Sequence, residues 1–318
     1  MVADPAQTKG KHVGATGVDI DSGDGVAAAA GGPVRQSNLW KDAWRRYIRN
    51  RAAVTAGVIF LLVLLFVVVW PIVSPYDPNA APNYELKNEG PSLRHPFGTD
   101  NFGRDLMTRT AVGGRVSIGI GFAATLAILL VGVAYGAVSG FVGGKLDNAM
   151  MRLLDTLYGL PYLPFAIIVL AIFGTVNIWT MVIALSIASW FTSARIVRGQ
   201  VITLKENDYV RAARAVGARW FRVLGRHLLP NTLGVLIIAI FLELPGVILG
   251  EAFLSFIGLG ISPPNASWGQ MAQEGRAVYR VAPHIIAVPS IAIATLILCA
   301  NFIADGLRDA LDPRTRET

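Results

Sequence analysis

Long apolar runs alternate with polar segments along this chain, and this alternation predicts helices that cross a membrane. Several of the runs are uncharged over the roughly 20 residues that a helix needs to span a bilayer. The predicted spans are 52–73, 116–144, 153–175, 179–194, 232–257 and 282–304. Pro161 and Pro164 predict a kink within the third span. The pattern therefore predicts an all-α, polytopic membrane protein with six transmembrane helices.

The composition strengthens this interpretation. Of the 318 residues, 53% are hydrophobic and only 15% are charged. A soluble domain usually carries about 25% charged residues. The single cysteine, Cys299, lies inside an apolar run, which excludes both a disulfide framework and a cysteine-based metal site.

The positions of the basic residues predict how the chain is oriented in the membrane. The net charge is +7, and Lys and Arg concentrate before the first span and between the fourth and fifth spans. Residues 74–114, by contrast, carry charges of both signs. Because cytoplasmic loops collect Lys and Arg, both termini and the loop after the fourth span are predicted to be cytoplasmic. Since topology explains the positive charge, no nucleic-acid partner is predicted.

These patterns divide the chain into parts of different composition. Residues 1–38 are rich in Gly, Ala and Asp without apolar periodicity, which predicts disorder. The predicted parts are a disordered cytoplasmic tail at 1–38, a basic lead-in with the first transmembrane helix at 39–73, an extracytoplasmic scaffold segment at 74–114, a five-helix core at 115–304 with a cytoplasmic loop at 201–231, and a cytoplasmic tail at 305–318.

The loop at 201–231 contains a basic, helix-forming segment with two different faces. At about 100° per residue, one face collects Tyr209, Ala213, Val216, Trp220, Val223 and Leu224. The opposite face collects Arg211, Arg214, Arg219, Arg222 and Arg226. This grouping assumes one unbroken helix, although Gly217 favours a bend and Pro230 fixes where the next element starts. From periodicity alone, an interfacial helix that only holds positive charge at the membrane stays an open interpretation.

The polar segment before the second span contains a dense run of charged and turn-forming residues. Its sequence is His95-Pro96-Phe97-Gly98-Thr99-Asp100-Asn101-Phe102-Gly103-Arg104-Asp105-Leu106. One hypothesis is that His95, Asp100 and Asp105 bind a metal ion. The interleaved Gly and Arg residues instead favour a turn tied by ion pairs, so no metal site is predicted.

Recognisable catalytic chemistry is missing from the sequence. It contains no nucleophile–base pair, and His227 stands alone at a membrane boundary, where polar packing is the expected role. A Gly-x-x-x-x-Gly-Lys-Ser/Thr phosphate loop is also missing. The chain is therefore predicted to hydrolyse nothing by itself and to hold no cofactor.

Four motifs carry a resemblance to one family. Ala212-Ala213, Gly217 and His227-Leu228-Leu229-Pro230 resemble the EAA loop of bacterial ABC importer permeases, with Arg211 in place of the usual Glu, as is common in the peptide branch. The run around 97–105 resembles the FGTD…GRD signature of peptide and nickel permeases. With the runs at 251–268 and 301–313, the sequence resembles the C-type permease of dipeptide and oligopeptide ABC importers over roughly 40–313.

The resemblance implies an ABC type I importer permease fold in the bacterial inner membrane. It implies that the chain forms the translocation pathway for peptides with a second, homologous permease, beside two ATPase subunits that bind ATP and magnesium and an extracytoplasmic peptide-binding protein. The residues it assigns to ATPase coupling are Tyr209, Ala212, Ala213, Gly217, Trp220, His227 and Pro230. Those it assigns to the scaffold are Phe97, Gly98, Thr99, Asp100, Gly103, Arg104 and Asp105.

Two acidic residues, Glu243 and Glu251, lie within the fifth predicted span. Carboxylates are costly inside a membrane and usually face protein or water, and Pro245-Gly246 between them frees backbone groups that need partners. Each is interpreted either as a substrate or proton contact, or as a helix–helix hydrogen bond. Glu251 begins a run that resembles one shared by permeases of different substrates, which favours a structural role. The role of Glu243 stays open.

Three alternatives to a peptide permease are open. A nickel or glutathione ABC permease has a similar sequence. An ion-driven secondary transporter would show an internal inverted repeat and acids in several spans, and no such repeat is seen. A membrane enzyme is the least favoured, because paired catalytic groups are missing.

Overall fold

The computed structural model describes residues 39–218, 220–225, 229–261 and 266–311. The predicted disordered tail at 1–38, residues 312–318 of the final tail and His227 lie outside these residues. The described residues form no strand, and their α-helices are α1 (Leu39–Tyr47), α2 (Arg51–Val73), α3 (Leu106–Val142), α4 (Gly144–Tyr158), α5 (Tyr162–Phe173), α6 (Ile178–Ile187), α7 (Trp190–Lys205), α8 (Asp208–Ala215), α9 (Trp220–Val223), α10 (Leu229–Leu254), α11 (Trp268–Arg276) and α12 (His284–Leu311).

The described helices account for four to six membrane spans. Helices α2, α3, α10 and α12 are long and apolar enough to cross a membrane. Two further spans result if each bent pair of helices is taken as one span. Helices α4 and α5 are bent by 90° relative to each other, and α6 and α7 are bent by 53°. The first bend lies at Gly159-Leu160-Pro161, where a kink was predicted. The second lies at Ala188-Ser189, where neither Pro nor Gly marks it in the sequence.

Several helices extend beyond the apolar runs from which they were predicted. Helix α3 begins at Leu106 rather than at 116, because Asp105 caps it and Arg109 in its first turns is paired. The last part of the predicted scaffold segment is therefore helical, and its irregular part, residues 74–105, is called the scaffold loop. Helix α12 continues to Leu311, beyond the predicted boundary at 304. Charged residues end an apolar run without ending a helix.

Glycines on α3 allow α7 to approach its backbone closely. A Cβ atom at Gly132 would lie 2.7 Å from Ser193 Cβ, and one at Gly136 would lie 2.2 Å from the Ala194 carbonyl oxygen. One turn later, a Cβ at Gly140 would lie 2.8 Å from the Arg198 carbonyl oxygen. Small residues at this spacing are typical of tightly packed membrane helices. The second predicted span therefore packs closely through its small residues.

Two apolar cores lie on either side of α3 and α10. The first joins these helices to α2, α11 and α12 through Phe60, Val67, Ile118, Leu244, Ile248, Trp268 and Leu296. The second joins them to α5 and α6 through Ile120, Ile128, Leu170, Leu185, Val247 and Leu254. Since α3 has 37 residues, it is about 55 Å long at 1.5 Å per residue. The scaffold loop enters one end of it, and the α7–α8 connection packs against the other.

Candidate functional site

The scaffold loop is fastened to α3 through the cap of that helix. Asp105 accepts hydrogen bonds from the Thr108 backbone nitrogen and hydroxyl, both at 2.8 Å. Its other carboxylate oxygen lies 2.9 Å from His95 Nδ1. The Thr108 hydroxyl also lies 2.6 Å from Ser74 Oγ and accepts from Trp70 Nε1 at 3.3 Å. One carboxylate therefore joins the loop, the start of α3 and the end of α2.

A second carboxylate organises the ion pairs of the loop. Asp100 accepts from Arg104 Nε at 2.8 Å and from the Arg109 guanidinium. The Arg109 nitrogens also donate to both carboxylate oxygens of Glu274 on α11, at 2.8 and 3.3 Å. Arg109 is only 5% exposed, so this network is shielded from solvent. It joins α3 to α11 across 165 residues of sequence.

Two glycines of the signature allow the loop to fold back on itself. Gly98 and Gly103 have φ of +80° and +73°, a region that other residues rarely adopt. A Cβ at Gly103 would lie 2.0 Å from the Asn83 carbonyl oxygen. Thr99 closes the same fold, because its backbone nitrogen donates to the Glu89 carbonyl at 3.0 Å.

The predicted signature residues thus come together as one folded unit. Phe97 completes it by packing against Phe66 of α2, with ring centroids 6.4 Å apart. No group of three or more His, Cys, Asp or Glu side chains within the described ranges is placed to hold a metal ion. Asp100 and Asp105 are instead directed at arginine, backbone and histidine partners.

The loop at 201–231 is not one unbroken helix, so the single-helix grouping of its faces is wrong. Helix α8 ends at Ala215, and Gly217 follows with φ of +81°. The Ala218 backbone nitrogen bonds to the Ala213 carbonyl at 3.1 Å, as in a helix that ends on a left-handed glycine. Helix α9 then starts at Trp220.

The break at Gly217 changes which residues are buried. Val210 and Val223 are fully buried against Ala137 of α3 and Val201 of α7, and they anchor the loop to the bundle. Tyr209, Ala212 and Gly217 are exposed. Val216 is 87% exposed. A Cβ at Gly217 would meet no atom within 4 Å. Four residues therefore form an open surface: Tyr209, Ala212, Val216 and Gly217. Because Ala212 and Gly217 carry almost no side chain, it is called the small-residue surface.

The remaining residues of the predicted coupling set are only partly described. Ala213 is half-buried beside the small-residue surface. Trp220 begins α9, Pro230 lies in the first turn of α10, and His227 falls outside the described residues.

An ion-pair cluster beside this loop was not predicted. Arg198 of α7 donates to both carboxylate oxygens of Asp147 on α4, each at 2.6 Å. Ser139 of α3 also donates to Asp147, and Lys205 donates to the Gly140 carbonyl at 3.0 Å. These contacts hold α3, α4 and α7 together where α8 begins. The sequence showed charges near two predicted span ends, but not that they pair across 51 residues.

Glu251 lies in a buried cluster of hydroxyl groups. Its carboxylate is 0% exposed and accepts hydrogen bonds from Ser117 Oγ of α3 at 3.0 Å and from Ser255 Oγ at 2.7 Å. Ser117 in turn accepts from the backbone nitrogen of Trp268, which starts α11. This geometry is a hydrogen-bonded junction between helices, the arrangement expected of a structural role.

Glu243 lies on the same helix in a different environment. It borders a cavity of about 460 Å³ that is also lined by Tyr162, Leu163, Ser189, Gly246, Val247, Leu249, Gly250 and Phe253. Its carboxylate accepts a single long hydrogen bond of 3.4 Å, from Ser193 Oγ, within the described part of the chain. The cavity lies between α5, α10 and the break before α7, which the sequence did not predict.

The fold defines a class of protein. A chain from the MetNI methionine ABC transporter in an inward-facing conformation superimposes with a TM-score of 0.51. The match covers 65% of this chain and 96% of that chain at 18% sequence identity. The molecule therefore has the permease fold of an ABC transporter.

Sequence comparison then identifies the family. Residues 132–317 match the model of the binding-protein-dependent transport system inner membrane component. Residues 38–91 match the N-terminal transmembrane domain of oligopeptide transport permease C. The chain belongs to this family of inner membrane permeases, and its predicted resemblance to the C-type permeases is confirmed.

Curated relatives cover most of the chain. The OppC permease protein of an oligopeptide transport system in Haemophilus influenzae is 41% identical, over 88% of this chain and 90% of its own length. The DppC permease protein of a dipeptide transport system in Bacillus subtilis is also 41% identical, over 87% and 86% of the two lengths. The GsiD permease protein of a glutathione transport system in Pectobacterium atrosepticum is 37% identical over 87% and 92%.

Proposed function

We propose that this chain is a transmembrane subunit of an ATP-driven importer of dipeptides and oligopeptides. It forms the translocation pathway together with a second, homologous permease, and it receives the peptide from an extracytoplasmic binding protein. The peptide substrate rests on the oligopeptide and dipeptide permeases that are 41% identical to the chain. The mode of coupling rests on one structural observation, the open small-residue surface.

In this proposal one of the two ATPase subunits binds the small-residue surface, and ATP hydrolysis by the two subunits supplies the energy. The chain itself hydrolyses nothing and holds no cofactor, so ATP and magnesium are bound by the ATPase subunits. Ala212 and Gly217 carry almost no side chain, which lets a partner approach the backbone there. Val210 and Val223 connect that surface to α3 and α7. A displacement of α8 by the partner is thereby transmitted to the spanning helices.

The orientation follows from the distribution of charge. The small-residue surface and both termini face the cytoplasm, and the scaffold loop faces outward. Single cysteines at Val216 and Leu93, in a Cys299→Ala background, distinguish the two sides. An impermeant thiol reagent added to intact cells should label Leu93→Cys and leave Val216→Cys unlabelled. The reverse labelling would invert the orientation.

A glutathione permease is the second candidate, because a glutathione permease protein is 37% identical over most of both chains. Glutathione is itself a small peptide, so both candidates require the same type of pathway. Uptake of labelled glutathione, in competition with labelled dialanine, separates them. The substrate that is taken up faster at equal concentration identifies the branch.

A deletion strain tests the proposed function directly. Without this chain, cells should resist toxic dipeptides and tripeptides and fail to grow on a required amino acid that is supplied only as a peptide. Inactivation of the associated ATPase should give the same phenotype. Normal peptide uptake in the deletion strain would refute the peptide assignment, and simultaneous loss of nickel uptake would transfer it to the metal branch. Uptake that survives ATPase inactivation would point to an ion-driven transporter.

A further inference from the structure

We propose that the cavity beside Glu243 is a transit site for the protonated amino group of a peptide. In this proposal the Glu243 carboxylate pairs with the amino group, and the hydroxyl groups of Tyr162 and Ser189 bind the neighbouring polar atoms of the peptide. The proposal rests on the peptide-import function above and assigns that function a site within the pathway.

The depth of Glu243 is the first argument. It lies 14 residues after Leu229, the first residue of α10, or about 21 Å along the helix axis. Leu254, the other end of α10, is 11 residues further on, or about 17 Å. Both distances place the carboxylate well inside a hydrocarbon layer about 30 Å thick. A carboxylate exposed to lipid at this depth is costly and rare. Glu243 must therefore face water, a ligand or another chain.

The second argument is that its own chain leaves Glu243 poorly satisfied. Glu251, eight residues further along α10, has two hydrogen bonds of ordinary length and is fully buried. Glu243 has the 3.4 Å contact with Ser193, and no Lys, Arg or His among the described residues lies within ion-pair distance of it. Two acids on one helix thus have opposite environments, and the incompletely bonded one is at the cavity.

The third argument is the Tyr162 hydroxyl at the same cavity. This oxygen is buried and makes no well-formed hydrogen bond within the described part of the chain, although it lies near Ser189. A buried hydroxyl whose hydrogen bonding is incomplete is costly, so such groups mark places where a ligand or water completes the bonding. The hydroxyl also lies against the α10 backbone, since a Cβ at Gly250 would be 2.6 Å from it.

The shape of the cavity is the fourth argument. A Cβ at Gly246, one turn after Glu243, would meet no atom within 4 Å. Leu249 and Phe253, which also line the cavity, are exposed on the same helix. The volume of about 460 Å³ lies in the range of about 300 to 1,000 Å³ that is usual for small-ligand sites. The cavity is therefore open on one side and large enough for a short peptide.

The chemistry of the lining selects the ligand. One carboxylate with hydroxyl groups beside it matches a cationic group that is bonded to a polar backbone, which is the amino end of a peptide. The apolar remainder, formed by Leu163, Val247, Leu249 and Phe253, accepts side chains without directional preference. A transit site must also release its ligand, because conduction requires binding that is weak enough to leave. A single carboxylate at an open cavity meets that requirement.

Thiol protection on the complete transporter tests this site without the binding protein. Leu249→Cys in a Cys299→Ala background places a reactive thiol at the cavity, and Ile172→Cys places a control thiol on α5 at a 78% exposed position away from it. The labelling rate by a small maleimide is measured with dialanine, with N-acetyl-dialanine and with Ni²⁺. Dialanine should slow the labelling of Leu249→Cys and leave that of Ile172→Cys unchanged, whereas N-acetyl-dialanine should not protect.

Adding Glu243→Gln should abolish the protection by dialanine, and Glu243→Asp should restore part of it. Protection that survives in Glu243→Gln, equal protection by the acetylated peptide, or protection by Ni²⁺ alone would overturn the proposal. Loss of the second permease from the Glu243→Gln complex would also overturn it, because the carboxylate would then pair with that partner. Peptide uptake by the unmodified transporter is measured in parallel. If uptake is present and protection is missing, only the transit site fails; if uptake itself is missing, the proposed function fails.

Discussion

The scaffold loop and the small-residue surface lie at opposite ends of α3 and are built in opposite ways. In the scaffold loop, Asp100, Asp105 and Arg109 each bond to at least two groups of the same chain. At the other end, α8 and α9 are anchored by the buried side chains of Val210 and Val223, while Val216 between them in sequence is exposed. The first region is held by bonds within one chain, although the Asn88 and Asn101 side-chain oxygens are buried without a partner among the described residues. The second region presents a surface that another chain can cover.

This difference indicates which region is held by bonds within the chain and which region is available to a partner. The Arg109–Glu274 pair joins α3 to α11, and the Asp105–His95 contact holds the loop to the start of α3. Breaking these bonds would cost folding free energy within the chain. A surface of small residues carries little such energy, so changes there should affect association and leave folding intact. Substitutions in the two regions test this contrast.

The largest effect is expected from Arg109→Ala. This change leaves Glu274 with only a long 4.0 Å contact to Arg104, and it takes one of the two arginine partners from Asp100. Removing one partner of a buried ion pair costs about 3–5 kcal/mol. The amount of folded protein in the membrane and its thermal stability in detergent should both fall sharply. Arg280→Ala is the matched control, since Arg280 is exposed and bonds only to its neighbour Tyr279 within the described part of the chain. Equal stability of the two variants would contradict the claim that the scaffold loop is held by bonds within the chain.

Gly217→Trp should reduce transport on the order of tenfold or more and leave membrane levels nearly normal. A left-handed residue other than Gly costs about 1–2 kcal/mol, and a Cβ at this position would meet no atom of this chain within 4 Å. A loss of transport beyond this backbone effect is therefore assigned to contact with a partner. Transport and binding-protein-stimulated ATP hydrolysis are the measurements.

Two companion variants separate the backbone effect of Gly217→Trp from its bulk. Gly217→Asn tolerates the left-handed backbone, and Gly217→Ala adds strain with little bulk. Both should retain much more transport than the tryptophan variant. If all three substitutions reduce transport equally, the backbone conformation and not the contact surface is what matters.

Asp105→Ala should have a smaller effect on stability than Arg109→Ala. It removes the cap of α3 and the partner of His95, and the loss of a capping residue costs about 1 kcal/mol. Asp105→Asn, which can still accept from the Thr108 backbone nitrogen, should be closer to the original protein. Thermal unfolding in detergent ranks the variants, and a larger loss for Asp105→Ala than for Arg109→Ala would contradict the expected ranking.

The smallest effects are expected from Arg211→Ala and Arg222→Ala. Both side chains are exposed, and the Arg211–Glu206 contact is a long 3.6 Å pair in solvent. Exposed pairs contribute about 0–1 kcal/mol, so transport should stay within about twofold of the original value. A loss comparable to that of Gly217→Trp would show that the arginines themselves bind the partner.

The sequence predicted the all-α class and the main spans because long uncharged runs leave few alternatives. It misplaced the start of α3 and the end of α12, because charged residues that mark the end of an apolar run can still be helical when they are capped or paired. The second bend, at Ala188-Ser189, has no local signal and arises from tertiary packing.

The candidate sites were predicted unevenly for similar reasons. The glycines and ion-pairing residues of the scaffold loop are close in sequence, so a tied turn could be predicted, but Glu274 is 165 residues away from Arg109. The helical faces predicted for residues 209–226 assumed a continuous helix. Because Gly217 has a positive φ and ends α8, some positions predicted to share a face are exposed and others are buried. Tyr162 beside Glu243 could not be found from spacing, because α5 and α10 meet only in the folded bundle.

Photo-crosslinking from the small-residue surface tests the central claim most directly. A benzophenone maleimide is attached to Val216→Cys in a Cys299→Ala background, and illumination of the complete transporter follows. The account predicts a covalent adduct with an ATPase subunit, and a yield that changes when ATP is added. The same probe on Leu93→Cys of the scaffold loop should give no ATPase adduct. A transporting complex in which Val216→Cys yields no ATPase adduct, or no more than Leu93→Cys, would contradict the claim that this surface couples ATP hydrolysis to the pathway.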